Sequence, residues 1–238
     1  MPVGYGLFEA YLRLFSASME TTALLGFEDP VDSWTHLFGA LAVGVLQIIL
    51  FKPNGVGRRH PFPIVTYGFS CIFLLSMSGV YHLLSRDTTA RYVMRILDHA
   101  GIFLLIAGSY TPITVLCLAP EKATLLLWLV WGGAALGIGF RIFWIGAPRW
   151  LYVPLYILLG WAAMMYIVDF FTVSPVMMTL IMVGGIFYTV GAVAYALKRP
   201  NPFPGRFGFH EVFHTFTMLA YLCHWTAIFI VATNPPVL

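Results

Sequence analysis

The 238-residue chain has little charge: Asp, Glu, Lys and Arg together make up 10% of it, against 60% hydrophobic residues. Soluble domains carry charge at roughly a quarter of their positions, so a water-filled surroundings is excluded for most of this surface. Cysteine is scarce as well, and the three present, Cys71, Cys117 and Cys223, each lie inside an apolar run. An odd number with no CxxC spacing excludes a disulfide framework and a cysteine metal knuckle, leaving them as small core residues. No dense basic tract exists, and a formal net charge of +3 spread along the chain argues against a nucleic-acid surface. What the chain has in abundance is long apolar runs, and its solvent is therefore a bilayer.

A helix needs about 20 apolar residues to cross the hydrocarbon. Seven runs of that length lie between charged or proline-rich breaks, at about 33–51, 63–85, 92–117, 122–143, 149–171, 175–198 and 209–232. Their short connections predict an all-α integral membrane protein, one seven-transmembrane-helix bundle covering residues 33–238. The run Trp131 to Gly139, "WGGAALGIG", favours close helix packing in lipid. Residues 1–32 form an amino-terminal segment in which Leu7, Phe8, Tyr11, Leu12, Leu14 and Phe15 recur at helical spacing, the pattern of a helix lying on the membrane surface. Glu9 and Arg13 interrupt its apolar run and no basic region precedes it, so it fits a cleavable signal peptide poorly.

With seven spans the termini face opposite sides, and basic residues favour the cytoplasm. Arg13, Arg86, Arg91, Arg95, Arg141, Arg149, Lys198, Arg199 and Arg206 share the amino-terminal side, whereas Lys52, Arg58, Arg59 and Lys122 lie on the other. This predicts a cytoplasmic amino terminus and an external carboxyl terminus, in the inner membrane if the host is a bacterium.

Ionisable groups inside a span cost several kcal/mol unless paired or metal-bound, so each is a functional candidate. The seventh run opens with His210-Glu-Val-Phe-His214, the HExxH pattern that in many hydrolases holds zinc. Two imidazoles four apart share a helix face and can share one ion. Soluble HExxH enzymes usually find a third ligand downstream, but only His224 follows here, deep in the same helix. The third ligand must come from upstream. With alternating span directions, His36, Ser78, His82, Asp98 and His99 reach the same depth as His210 and His214. His82, His210 and His214 then form a three-imidazole set suited to zinc, with a fourth position open to water. Asp98 is placed to accept a hydrogen bond from that water or to take its proton, and Ser78 lies on one face with His82, a turn deeper. Glu211 is free to cap the helix start. His99 points to another face than Asp98, while His224 and His60 read as a packing residue and a solvated loop residue.

These residues carry a resemblance. "SMSGVYH", "LDHAGIFLLIAGSYTPI", "GFHEVFHTF" and "CHW", with "DPVDSWTHLFG" before them, are similar to the hemolysin III branch of the progestin and adipoQ receptor family, along nearly the whole chain. The resemblance implies a seven-helix fold with an inward amino terminus, and zinc on His82, His210 and His214 with Asp98 near the metal water and Ser78 beside it. Where the family has an acidic residue and an Asn before a Thr-His pair, this chain has Asp29 and Asp32, which leaves the role of the first-span entry and His36 open. The lack of a large amino-terminal domain suggests the minimal bacterial form. The implied functions are hydrolysis of lipid acyl amides in the manner of a ceramidase, sensing of membrane state with a structural zinc, and lysis through a pore. The pore fits least, because spans four to six offer few polar residues beyond Asp169. The implied partner is a membrane lipid or lipid-derived substrate.

Overall fold

A computed structural model describes residues 29–51, 60–84, 88–204 and 207–236. The expected surface helix around residues 7–15 lies outside the described residues. Seven helices long and apolar enough to span a membrane are present, at Pro30–Leu50, Pro61–Leu83, Thr89–Cys117, Pro120–Phe143, Arg149–Val173, Pro175–Leu197 and Phe209–Thr233. We refer to them as spans one to seven.

Most spans begin two or three residues before their apolar stretch, because polar caps and prolines start them. Proline lacks the N–H that a first helical turn leaves unpaired anyway, and it opens spans one, two, four and six. Thr88 caps span three by accepting from Arg91 N at 3.1 Å, and Ser174 caps span six by accepting from Met177 N at 3.2 Å. Span six ends where Lys198 takes a left-handed conformation (φ 56°).

Span three is the hub. Its most apolar window is 72% buried, whereas those of spans four to six are 28% buried and present most of their surface to lipid. Spans two, four, five and seven pack against it, and span one closes onto spans two and seven. Two glycines show how tightly. A Cβ on Gly137 would lie 2.4 Å from the Phe103 ring, and one on Gly184 the same distance from the His224 ring. Of the glycine-rich run in span four, Gly132 and Gly139 meet nothing, so only one face of it serves packing.

Span five is broken. An α-helix over Arg149–Gly160 gives way to a 3₁₀ segment, Ala162–Tyr166, before Ile167–Val173 resumes the α form. The Tyr110 hydroxyl of span three enters the gap, donating to Gly160 O and accepting from Ala163 N, both at 2.7 Å. Backbone groups freed by the break are thereby satisfied inside protein, the condition under which irregular backbone is tolerated at membrane depth.

Candidate metal centre

Four chain segments that enter the bundle from one side build the centre. His210 and His214 lie on the first turns of span seven, one helical turn apart and edge to face, with ring centroids 4.8 Å apart. The start of span seven is fixed by Glu211, whose Oε2 accepts from Gly208 N at 2.8 Å, as its helix-capping reading expects. His82 occupies the last turn of span two, 4.7 Å and 5.2 Å from those rings by centroid. The three side chains can each offer a nitrogen such that all lie within 4.8 Å of one another, and among the described residues no other set of three His, Cys, Asp or Glu does so.

Span one supplies two carboxylates. Asp29, its N-cap, is tied to span two by both its backbone and its side chain: Asp29 N donates to His82 O at 3.1 Å, and Oδ2 lies 3.2 Å from His82 Nδ1. Arg91 of span three donates to the same Oδ2 at 2.8 Å, also donates to Leu84 O, and lies over the Tyr81 ring. Burial pushes the Asp29 carboxyl up, but the hydrogen bonds from His82 and Arg91 outweigh it and hold the group well below the usual carboxylate range. Asp32, only 3% exposed, sits among all three histidines, with Oδ1 3.3 Å from His214 Nδ1 and Oδ2 3.8 Å from Nδ1 of both His82 and His210. His36, one turn further along span one, stacks flat on His214 at 3.6 Å.

Several of these buried atoms have no hydrogen-bond partner: His82 Nε2, His214 Nδ1, both His36 nitrogens and Asp32 Oδ1. An orphaned imidazole nitrogen in a membrane bundle is expensive, and a shared cation satisfies several at once. The donor set, nitrogen-rich with carboxylates behind it, suits zinc better than magnesium or calcium.

A cavity of about 130 Å³ opens beside the histidines. His36, Ser78, Asp98, His210 and His214 line its polar end, and span-five and span-six residues such as Tyr152, Ile157, Met164 and Ile181 line the rest. Fourteen residues separate His210 from His224, both in the wall, so at 1.5 Å per residue the cavity runs about 21 Å along the bundle.

Two expectations need correction. His99, placed on another face than Asp98, has Nδ1 3.2 Å from Asp98 Oδ2 and 2.9 Å from Arg95 O, and lines the same cavity. The 100° turn between neighbours separates the Cβ directions, but both side chains are long enough to curl back together. The second concerns Arg141, counted only by side among the basic residues of the amino-terminal side: it is 0% exposed, its guanidinium 4.2 Å from the Tyr152 ring centroid and donating to Ile145 O at 3.0 Å, so its charge is held inside the bundle. His224 does pack: its Nε2 lies 3.2 Å from Ile181 O. What the sequence reading left without a role is the pair Asp29 and Asp32; three- and four-residue steps from 29 to 32 to 36 put all three on one face of span one, which was the available signal.

Comparison with known proteins decides the family. A family model described as Haemolysin-III related matches residues 27–225. The chain belongs to this family. It is 30% identical over 197 residues to a hemolysin-3 homolog of Bacillus subtilis (strain 168), covering 80% of this chain and 88% of that one. Hemolysin-3 of Bacillus cereus is 29% identical over 194 residues, covering 80% and 85%. An adiponectin receptor protein of Drosophila melanogaster is 25% identical over 225 residues, covering 82% of this chain and 48% of the receptor. With its seven apolar helices and bacterial relatives, this family member is an integral protein of the bacterial plasma membrane.

Proposed function

We propose that the protein is a zinc-dependent hydrolase of lipid acyl amides, with His82, His210 and His214 as metal ligands and Asp98 and Ser78 as the reacting groups. The observation that carries this reading is the continuity of the three-histidine centre with a long, mostly apolar cavity whose polar end also holds Asp98 and Ser78. Zinc bound there supplies Lewis acidity toward a carbonyl and acidifies water. Asp98 takes the proton of the attacking water, and its contact with His99 keeps the carboxylate turned toward the cavity. The Ser78 hydroxyl, hydrogen-bonded to Asp98, turns to donate to the amide oxygen as charge develops on it and Asp98 takes up the proton of the water. Apolar walls from spans three, five, six and seven hold the acyl chain and exclude bulk water.

The reading includes the membrane orientation: the amino-terminal segment, which ends where span one begins at Pro30 rather than at residue 32, is cytoplasmic, and the centre lies near the cytoplasmic leaflet. Reporter fusions after Leu238 and within residues 199–208 are expected to fall outside and inside respectively, and a cytoplasmic carboxyl terminus overturns the orientation.

A second reading, a membrane-state sensor with zinc as a clasp, draws on the supply of ligands from spans two and seven, far apart in sequence. Asp98→Asn separates the two. The hydrolase reading expects the variant to retain zinc and fold while releasing less than about 1% of the wild-type fatty acid from a short-chain ceramide. Zinc-loaded wild type that releases no fatty acid from any amide or ester lipid overturns the hydrolase in favour of the clasp. A pore has less support: Asp169, the main polar residue of spans four to six, pairs with Lys122 at 2.5 Å.

A further inference from the structure

At each of the three rings, the nitrogen that faces a carboxylate is Nδ1. His82 Nδ1 is 3.2 Å from Asp29 Oδ2, His214 Nδ1 is 3.3 Å from Asp32 Oδ1, and His210 Nδ1 is 3.8 Å from Asp32 Oδ2. A neutral imidazole has one N–H and one lone pair, and a carboxylate can only accept. Only one of these contacts is a hydrogen bond: Asp29 pairs with His82, whereas Asp32 faces His214 and His210 without a hydrogen bond to either. Asp29 is itself fixed from behind by Arg91 at 2.8 Å and by its backbone bond to His82 O. On the other side of the His82 ring, Nε2 is buried and has no partner.

We infer that Asp29 is a positioning residue that holds His82 in the Nδ1–H tautomer, so that its unpartnered Nε2 is presented to the ion, with Arg91 as the clamp on Asp29. This rests on the metal-centre reading and gives a role to the entry of span one. A carboxylate behind an imidazole fixes the ring and makes it a better donor to the metal, an effect typically 10–100-fold in affinity. Asp29 touches the ring and Arg91 acts only through Asp29, so the order of importance is Asp29, then Arg91.

The test is metal affinity of the full-length protein in detergent, measured with Zn²⁺ and Co²⁺ against a competing chelator. Asp29→Ala is expected to weaken binding about 10-fold and Arg91→Gln less. Asp29→Asn keeps one acceptor oxygen and is expected to fall between Asp29→Ala and wild type. The visible spectrum of bound Co²⁺ is expected to be unchanged in all three, while the metal-free melting temperature falls in both Asp29→Ala and Arg91→Gln, which break the same ion pair. Wild-type affinity in Asp29→Ala overturns the inference while leaving the metal centre standing. A changed Co²⁺ spectrum in Asp29→Ala overturns it by making Asp29 a direct ligand. An affinity loss that only follows the fall in metal-free melting temperature, equal in Asp29→Ala and Arg91→Gln, overturns it in favour of a structural role. Wild type that binds neither ion overturns the metal centre, and this inference with it.

Discussion

His214 and His224 lie on the same helix, both line the same cavity, and both are enclosed by protein, yet they belong to different chemistry. His224 has a backbone carbonyl 3.2 Å from Nε2, a tyrosine ring against its edge and a glycine beneath it. His214 has two histidines and a stacked third around it, a carboxylate 3.3 Å from Nδ1, and no hydrogen bond at that nitrogen. A buried polar group costs free energy only while it lacks a partner. The end of the cavity where the fold leaves nitrogens unpaired is therefore the end suited to a ligand, and the end where it pairs them is suited to packing.

Single alanine substitutions give the largest expected contrast. His82→Ala, His210→Ala or His214→Ala each remove one of three proposed ligands, and metal analysis of the purified variants is expected to show zinc falling from about one per chain to less than a tenth of that. His224→Ala is expected to keep wild-type zinc. Full zinc in the double variant His82→Ala and His214→Ala would erase the contrast.

Much of this was legible in the sequence. The seven spans lie within three residues of their observed limits because a run of about 20 apolar residues has few other fates. Convergence of His82, His210 and His214 followed from span direction alone, since a residue near a helix end has its depth set by topology. Two kinds of feature were not legible. The break in span five depends on a hydroxyl from span three, and no local signal in the sequence "YILLGWAAMMY" announces a partner about 50 residues away. The contact between His99 and Asp98 depends on side-chain rotation, which residue spacing does not fix. Asp29 and Asp32 fall between these cases: their spacing with His36 marked a shared face, but only the fold brings that face to the histidines.

The His224 end of the cavity can be disturbed without touching the three-histidine cluster. In Gly184→Ala the new methyl would lie 2.4 Å from His224 Cδ2 and 3.1 Å from Ala220 O. The ring must leave its place and its bond to Ile181, and overpacking of this kind costs about 1–3 kcal/mol. Thermal unfolding in detergent is expected to show that loss with zinc content unchanged. Tyr110→Phe tests the wall nearby: Gly160 O and Ala163 N lose their shared partner, with an expected cost of about 1–2 kcal/mol and, again, no change in zinc. Loss of metal from either variant would mean that the two ends are not independent.

The smallest effect is expected from the carboxylate with the best partner. Asp169 and Asp98 are both acidic residues within the spans, but Asp169 lies at the far end of span five, half-exposed, with Lys122 Nζ 2.5 Å away and that ammonium also near the Tyr166 ring. An ion pair of such exposure contributes little, about 0–1 kcal/mol, because solvent screens it and two flexible side chains must be ordered to form it. Asp169→Asn is therefore expected to shift the melting temperature by a degree or two at most and to leave zinc content and lipid hydrolysis at wild-type levels. If the residue instead lined a conducting path, the same substitution would alter ion flux through reconstituted vesicles. A wild-type protein that leaks ions, with the leak changed by Asp169→Asn and indifferent to His214→Ala, would move the functional centre from the histidine end of the bundle to the opposite one.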